Sequence, residues 1–179
     1  MDGDELSWAR VTNGDDELVI VTAEGLALRF HENEVRPMGR TAAGVWAIKL
    51  RAGDRVTGFD VVHPEQDLLV VTAKGWGKRT PLSEYATKGR YNQGILTIDA
   101  HRLQETGDII AGRIVQPQDQ ISLITTAGMT IRLRVDNISS MGRATRGVRL
   151  VNLGDGDLVT ACARIRYTET SKAEEIEEE

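Results

Sequence analysis

The sequence predicts an all-β chain made of three successive copies of one four-stranded unit, and three observations point there. The first is a repeat: LVIVTAEG from Leu18, LLVVTAKG from Leu68 and ISLITTAG from Ile121 begin 50 and 53 residues apart. The second is the register kept inside each copy. A glycine closes the first turn (Gly25, Gly75, Gly128) and an arginine follows four residues on (Arg29, Arg79, Arg132). A second glycine lies fourteen after the first (Gly39, Gly89, Gly142), with arginine next to it (Arg40, Arg90, Arg143), and a third lies five further (Gly44, Gly94, Gly147). The third observation is negative: no stretch holds apolar residues at 3.6 spacing for more than about two turns, which argues against a helical repeat of the same period.

In chain order, GDELSWARV from Gly3 matches the Gly-Asp turn and last strand of a unit. Residues 1–17 are therefore expected to be the last strand of a preceding unit followed by an acidic linker, and the units to span 18–66, 67–119 and 120–167. LVIV and LLVV are continuous apolar runs, as expected of first strands buried on both faces. Ala-Glu-Gly, Ala-Lys-Gly and Thr-Ala-Gly supply the left-handed glycine of a tight hairpin. The second strand alternates, with Leu26, Leu28 and Phe30 opposite Arg29, and Met129, Ile131, Leu133 and Val135 opposite Arg132 and Arg134. In the middle copy Trp76-Gly77-Lys78-Arg79 breaks the alternation, and a bulge is expected there. A short third strand follows (VWAIKL from Val45, ILTI from Ile95, VRLVNL from Val148), then a Gly-Asp turn and a last strand (RVTGFDVV, IIAGRIV, LVTACARI). The middle copy carries four extra residues before Gly107-Asp108, read as a longer surface turn. Four-stranded units repeating every fifty residues are propeller-type blades, here about three of them in a partial ring.

Composition narrows the function. With 40% apolar and 27% charged residues the chain can bury a core, and no apolar run nears the ~18 to 20 residues of a membrane span. No basic-then-apolar leader precedes it, so a chain that is neither membrane-inserted nor exported is expected. One cysteine, Cys162, excludes a disulfide framework and a zinc finger and fits a reducing cytoplasm. With 2 Phe and 3 Tyr, an aromatic platform for single-stranded bases is not expected. The formal charge of -5 is uneven. Residues 1–17 hold six acids against Arg10, and residues 168–179 hold six glutamates against Lys172, so the body from 18 to 167 carries +5. The acidic tail from Thr168 is expected to be disordered and to compete with phosphate for the basic body.

From the first to the third glycine of each copy, residues 25–44, 75–94 and 128–147, the bases are Arg29, Arg36, Arg40, Lys78, Arg79, Lys88, Arg90, Arg132, Arg134, Arg143 and Arg146. Against these eleven stand Glu32, Glu34, Glu84 and Asp136, a net +7. Equivalent places in a ring lie on one rim, so a basic arc for phosphate is expected. The glycines beside Arg40, Arg90 and Arg143 let backbone amides approach phosphate, and arginine forks onto two of its oxygens. Little here reads bases, so the expected ligand is duplex DNA, sequence-tolerant, with preference set by bendability. All nine repeat glycines also serve as turn residues.

Catalysis has weaker support. His31, His63 and His101 share no repeat position and no ligand spacing, so neither a metal nor another cofactor is expected. Asp54, Asp108 and Asp157 recur as turn formers, and Trp8, Trp46 and Trp76 are assigned to core or inter-blade space. A propeller hydrolase lacks candidate acids. A protein-interaction propeller binding an acidic partner is the alternative to DNA binding.

VTAKGWGKRTPLSEYATKGRYNQGI from Val71 and ISLITTAGMTIRLRVDNISSMGRATRGV from Ile121 resemble the C-terminal blades of the bacterial DNA gyrase A protein, with its topoisomerase IV counterpart as near relative. The resemblance runs over residues 3–167, on the T-x-x-G-x-x-x-R/K hairpin and the G-R-x-x-x-G stretch. It implies a β-pinwheel whose blades exchange strands with their neighbours and wrap duplex DNA around the rim, here the last three blades. It also implies a non-catalytic module of an ATP-dependent type II topoisomerase in the bacterial cytoplasm, beside the nucleoid. The implied partners are the remaining blades and catalytic domain of the gyrase A protein, and the gyrase B protein. The glutamine-arginine box of the family's first blade is not found; its nearest echoes are MGRTAAG, KGRYNQG and MGRATRG. No part matches the breakage-reunion domain, so Tyr85, Tyr91 and Tyr167 are not read as nucleophiles. Three blades leave strand edges open to self-association.

Overall fold

A computed structural model describes residues 5–168. The first unit contributes β1 (Glu17–Thr22), β2 (Leu26–His31) and β3 (Val56–Val62), with a 3-10 turn at Glu32–Glu34. The second contributes β4 (Asp67–Thr72), β5 (Trp76–Pro81), a 3-10 turn at Leu82–Glu84, β6 (Ile95–Leu96), a helix α1 (Ala100–Thr106) and β7 (Ile109–Val115). The third contributes β8 (Gln120–Thr125), β9 (Thr130–Arg134), a 3-10 turn at Val135–Asn137, β10 (Val148–Arg149) and β11 (Val159–Ile165). They form three antiparallel sheets, ordered β3-β1-β2-β6, β10-β5-β4-β7 and β11-β8-β9.

The order shows strand exchange. The short β6 of the second unit pairs with β2 of the first, Ile95 opposite Ala27, and β10 of the third pairs with β5 of the second, Val148 opposite Gly77. Both begin just after the third glycine, where the exchange requires a residue without a side chain. A Cβ on Gly94 would lie 2.5 Å from the Ala27 carbonyl oxygen, and one on Gly147 2.6 Å from that of Gly77. The last strands take the opposite edge of each sheet, where β3 packs on β7 and β7 on β11.

Burial explains the apolar runs. Val19 and Val21 join Leu68, Val70, Tyr85 and Ile114 in a core between the first two sheets, while Leu69 and Val71 join Ile121, Leu123 and Cys162 in a core between the second and third. β1 and β4 are therefore buried on both faces. β8 is buried on one face only: Ile121 and Leu123 point into the core while Ile124 is 40% exposed. The recurring Gly-Asp turns clip the hairpins. Asp54 accepts hydrogen bonds from the Glu24 and Arg55 amides, and Asp157 from those of Ala127 and Leu158.

Three expectations are corrected. Residues 5–16 form no strand, because no first strand of a preceding unit lies beside them among the described residues; they are tied down by Arg10 to Asp60 and by Glu32, which accepts from the Thr12 hydroxyl and the Gly14 and Asp16 amides. Nor is β5 bulged: it pairs with β4 without a break from Asp67 opposite Pro81 to Val71 opposite Gly77. The irregularities fall instead between first and last strands, at Val21/Thr22, Val71/Thr72 and Val159/Ala161. The extra residues of the middle unit form α1 rather than a turn, with Asp99 capping its start by accepting from the His101 amide. The acidic tail from residue 169 lies outside the described residues.

Candidate nucleic-acid interface

Between second strand and exchanged strand each unit sends a loop along the edge away from the last strands. Consecutive loops are stitched together. The Tyr91 amide donates to the Ala47 carbonyl and the Lys49 amide to that of Asn92, and the rings of Trp46 and Tyr91 lie 6.4 Å apart. Glu34 accepts from the Arg90 amide at 2.5 Å, and its counterpart Glu84 accepts from the Arg143 amide at 3.1 Å. Three of the four acids in the basic segments are thereby occupied with backbone, since Glu32 holds residues 12–16. The fourth, Asp136, pairs with Arg134 at 2.9 Å.

The eleven bases divide into three groups. Arg36, Arg40 and Lys88 are exposed, as are Arg132 and Arg134 on β9. Arg90 and Arg143 are half-buried clamps on the loop before them: Arg90 donates to the Glu34 and Trp46 carbonyls and Arg143 to the Leu96 carbonyl. Arg146 pairs with Glu105 at 2.5 Å and lies 4.2 Å over the Trp76 ring.

The third group turns inward and corrects the rim assignment. Arg29 donates to Glu17 and to the Leu82 and Tyr85 carbonyls of the next unit. Arg79 donates to Asp67 and to the Ile138 carbonyl. Their side chains are 19% and 13% exposed, so both work as struts between blades. Lys78 is fully buried. Its ammonium donates to the Gly142 and Arg143 carbonyls at 2.6 and 2.5 Å and to the Thr145 hydroxyl at 3.1 Å, and burial pushes its pKa down to about 8. It supports the third Gly-Arg loop from below. Of the repeat glycines, Gly25, Gly44, Gly75, Gly94, Gly128 and Gly147 have positive φ, whereas Gly39, Gly89 and Gly142 do not.

Sequence reasoning missed several neighbours. Arg149 lies 4.7 Å over the Trp76 ring, a cation–π contact that its position opposite Trp76 in the β10–β5 ladder produces. Arg102, on α1, joins Asp99, Gly142, Thr145 and Arg146 around an open groove of about 700 Å³. Trp46, assigned to packing, is 75% exposed, with no blade on its side of the first unit among the described residues. Among the described residues no group of three or more His, Cys, Asp or Glu side chains could hold a metal ion, and no helix is long and apolar enough to cross a membrane. Cys162 is buried, which pushes its thiol up to about 11.

The chain is 43% identical over 164 residues to the DNA gyrase A protein of Staphylococcus epidermidis, covering 90% of this chain and 18% of that protein. To the DNA gyrase A protein of Staphylococcus aureus it is 39% identical over 177 residues, covering 98% and 20%. It therefore spans no more than a fifth of the length of these relatives. Among solved structures it superposes on a DNA gyrase A C-terminal domain with a TM-score of 0.80 at 24% identity, covering 87% of this chain and 52% of that one. On the C-terminal domain of a DNA topoisomerase IV the TM-score is 0.83 at 26% identity, covering 94% and 53%. A family model described as "DNA gyrase C-terminal domain, beta-propeller" matches once per unit, over residues 16–63, 66–116 and 119–166. With every unit matched by that model, the chain belongs to the family of DNA gyrase C-terminal β-propeller domains.

Proposed function

We propose that the chain is a non-catalytic module that binds duplex DNA along its stitched Gly-Arg loops and bends it, as part of the A protein of a type IIA topoisomerase in the bacterial cytoplasm. The observation that carries the proposal is the recurrence of a basic loop on the same edge of three consecutive blades, with its acids occupied by backbone and arginine. A stiff duplex resists bending at a cost on the order of several kcal/mol, which many phosphate contacts spread along a curved surface offset better than one pocket. Arginine and backbone amides at glycine recognise phosphate without reading bases, so binding is sequence-tolerant. The catalytic domain and further blades of the gyrase A protein, and the gyrase B protein, are the partners this reading assigns.

One base from each blade tests it. The triple variant R36E/K88E/R146E is expected to weaken duplex binding roughly 100-fold at moderate salt, read by fluorescence anisotropy. Arg36 and Lys88 are exposed and Arg146 makes a partly exposed pair with Glu105 and a stack on Trp76, so the melting temperature should move by less than about 5 °C. Unchanged affinity in the folded variant would remove DNA from this edge.

A further inference from the structure

The two junctions inside the array are not alike. Where the second Gly-Arg loop crosses the first sheet, Leu28 takes the inward place beneath it, and Gln93 and Leu96 stand at its far end. Where the third crosses the second sheet, the same repeat positions hold Lys78, Arg146 and Arg149. Three cations replace two leucines and a glutamine. Both units that build this second junction lie wholly among the described residues.

The helix α1 adds a wall to it. Between α1 and the third Gly-Arg loop lies the open groove of about 700 Å³, with Asp99 and Arg102 on the helix side and Gly142, Ala144, Thr145 and Arg146 on the loop side. The Arg102 side chain is exposed, with no partner among the described residues. Lys78 draws the Gly142 and Arg143 carbonyls toward its buried ammonium, so two negative dipole ends face the interior and not the groove. The acids nearby are engaged. Asp99 accepts from the His101 amide, Glu84 accepts from the Arg143 amide and lies 3.9 Å from its guanidinium, and Glu105 pairs with Arg146. Lys78, Arg102, Arg143, Arg146 and Arg149 against Asp99, Glu84 and Glu105 leave a net charge of +2. The Glu105–Arg146 pair is the exchangeable one, since its side chains are 47% and 39% exposed and solvent screens such a pair.

We propose that this groove seats a stretch of phosphodiester backbone, that Arg102 completes the seat, and that Glu105 guards it by holding Arg146 until a phosphate takes its place. The proposal rests on the reading that duplex DNA runs along this edge, and it adds that the second junction grips the duplex harder than the first. A phosphate between Arg102 and Arg146 meets two guanidinium forks. The Trp76 ring, over which Arg146 and Arg149 lie at 4.2 and 4.7 Å, keeps both cations gathered at the same end of the loop. The exchange leaves no charge stranded: Arg146 trades a carboxylate for a phosphate, and Glu105 turns to water. One turn of helix thus carries both the base that completes the seat and the acid that closes it.

Duplex affinity of the full chain, read by fluorescence anisotropy over a salt series, separates the outcomes. E105Q frees Arg146 and is expected to tighten binding roughly 3-fold at moderate salt, with the parent's log-log slope. R102E is expected to weaken binding roughly 10-fold and to reduce the slope by about 1, one phosphate contact fewer. R166E makes the same charge change just after β11, at the edge of the last strands, and is expected to move affinity less than about 2-fold with the slope intact. All three positions are exposed, so the parent's circular dichroism is expected throughout; should R102E unfold, E105Q decides alone. An R102E chain that binds like R166E, or an E105Q chain that binds no tighter than the parent, would overturn the seat and leave DNA to the loops. A parent that binds no duplex at low salt would overturn the reading of this edge, and the seat with it.

Discussion

Gly58→Val is expected to unfold the chain. Gly58 lies on β3, opposite Val21 in the ladder with β1, at the edge where the last strands of neighbouring blades pack. A Cβ there would fall 2.7 Å from the carbonyl oxygen of Gly112 and 2.8 Å from its Cα and nitrogen. Those are backbone atoms of β7 and have no rotamer by which to yield, so either β3 leaves β1 or the two blades separate. Forced overpacking of this kind costs on the order of 4 kcal/mol or more, out of a total of roughly 5 to 15 kcal/mol for a domain. Gly39→Ala is the control. Its φ is not positive and nothing lies within 4 Å of the added carbon, so a change of under about 0.5 kcal/mol is expected. Urea midpoints of the two variants should differ accordingly; a Gly58→Val chain with the parent's midpoint would refute the packing described between the first two blades.

Tyr85→Ala should be nearly as damaging. The ring is 1% exposed in the core between the first two sheets, where it meets Val19, Leu68 and Ile98, and truncating a buried aromatic costs about 3 to 5 kcal/mol. Its hydroxyl shares a 2.5 Å hydrogen bond with the Thr97 hydroxyl, so Tyr85→Phe keeps the packing, leaves the buried Thr97 without that bond, and should cost about 1 to 2 kcal/mol. Burial also pushes the phenol up to about 12 from an ordinary 10. The folded chain therefore holds this proton where the unfolded chain has released it. The stability contributed is fully present below pH 10 and is lost as the pH rises through about 12. In Tyr85→Phe that alkaline loss should shrink, which a pH series of urea midpoints reads directly.

The fold was legible because the repeat is in the residues themselves. Two-sided burial of β1 and β4 is written in LVIV and LLVV, and the single buried face of β8 in ISLI, where Ser122 and Ile124 alternate with core positions. What each residue does across a blade junction was not legible, since that depends on which unit lends the fourth strand. Arg29, Arg79 and Arg132 share one repeat position, yet two are inter-blade struts and the third is exposed, with no further blade beside it among the described residues. Lys78 misled for a different reason. It stands where the first unit has Leu28, an inward place in the alternation, but a lysine in a basic loop reads as a surface charge unless that register outweighs its chemistry. Trp46 misled in the opposite direction: an indole reads as core, yet no described blade covers it. The helix α1 carries a capping signal in Asp99, too short to be told from a turn by periodicity.

Measuring duplex DNA affinity against salt tests the central claim most directly. Of the eleven bases in the repeat segments, Arg29, Arg79 and Lys78 are turned inward, which leaves eight on or near the loops. If half or more of these reach phosphate, the log-log slope should be about -4 to -7, and it should be nearly the same for unrelated duplex sequences. A slope near zero, or no binding to duplex at low salt, would contradict the account.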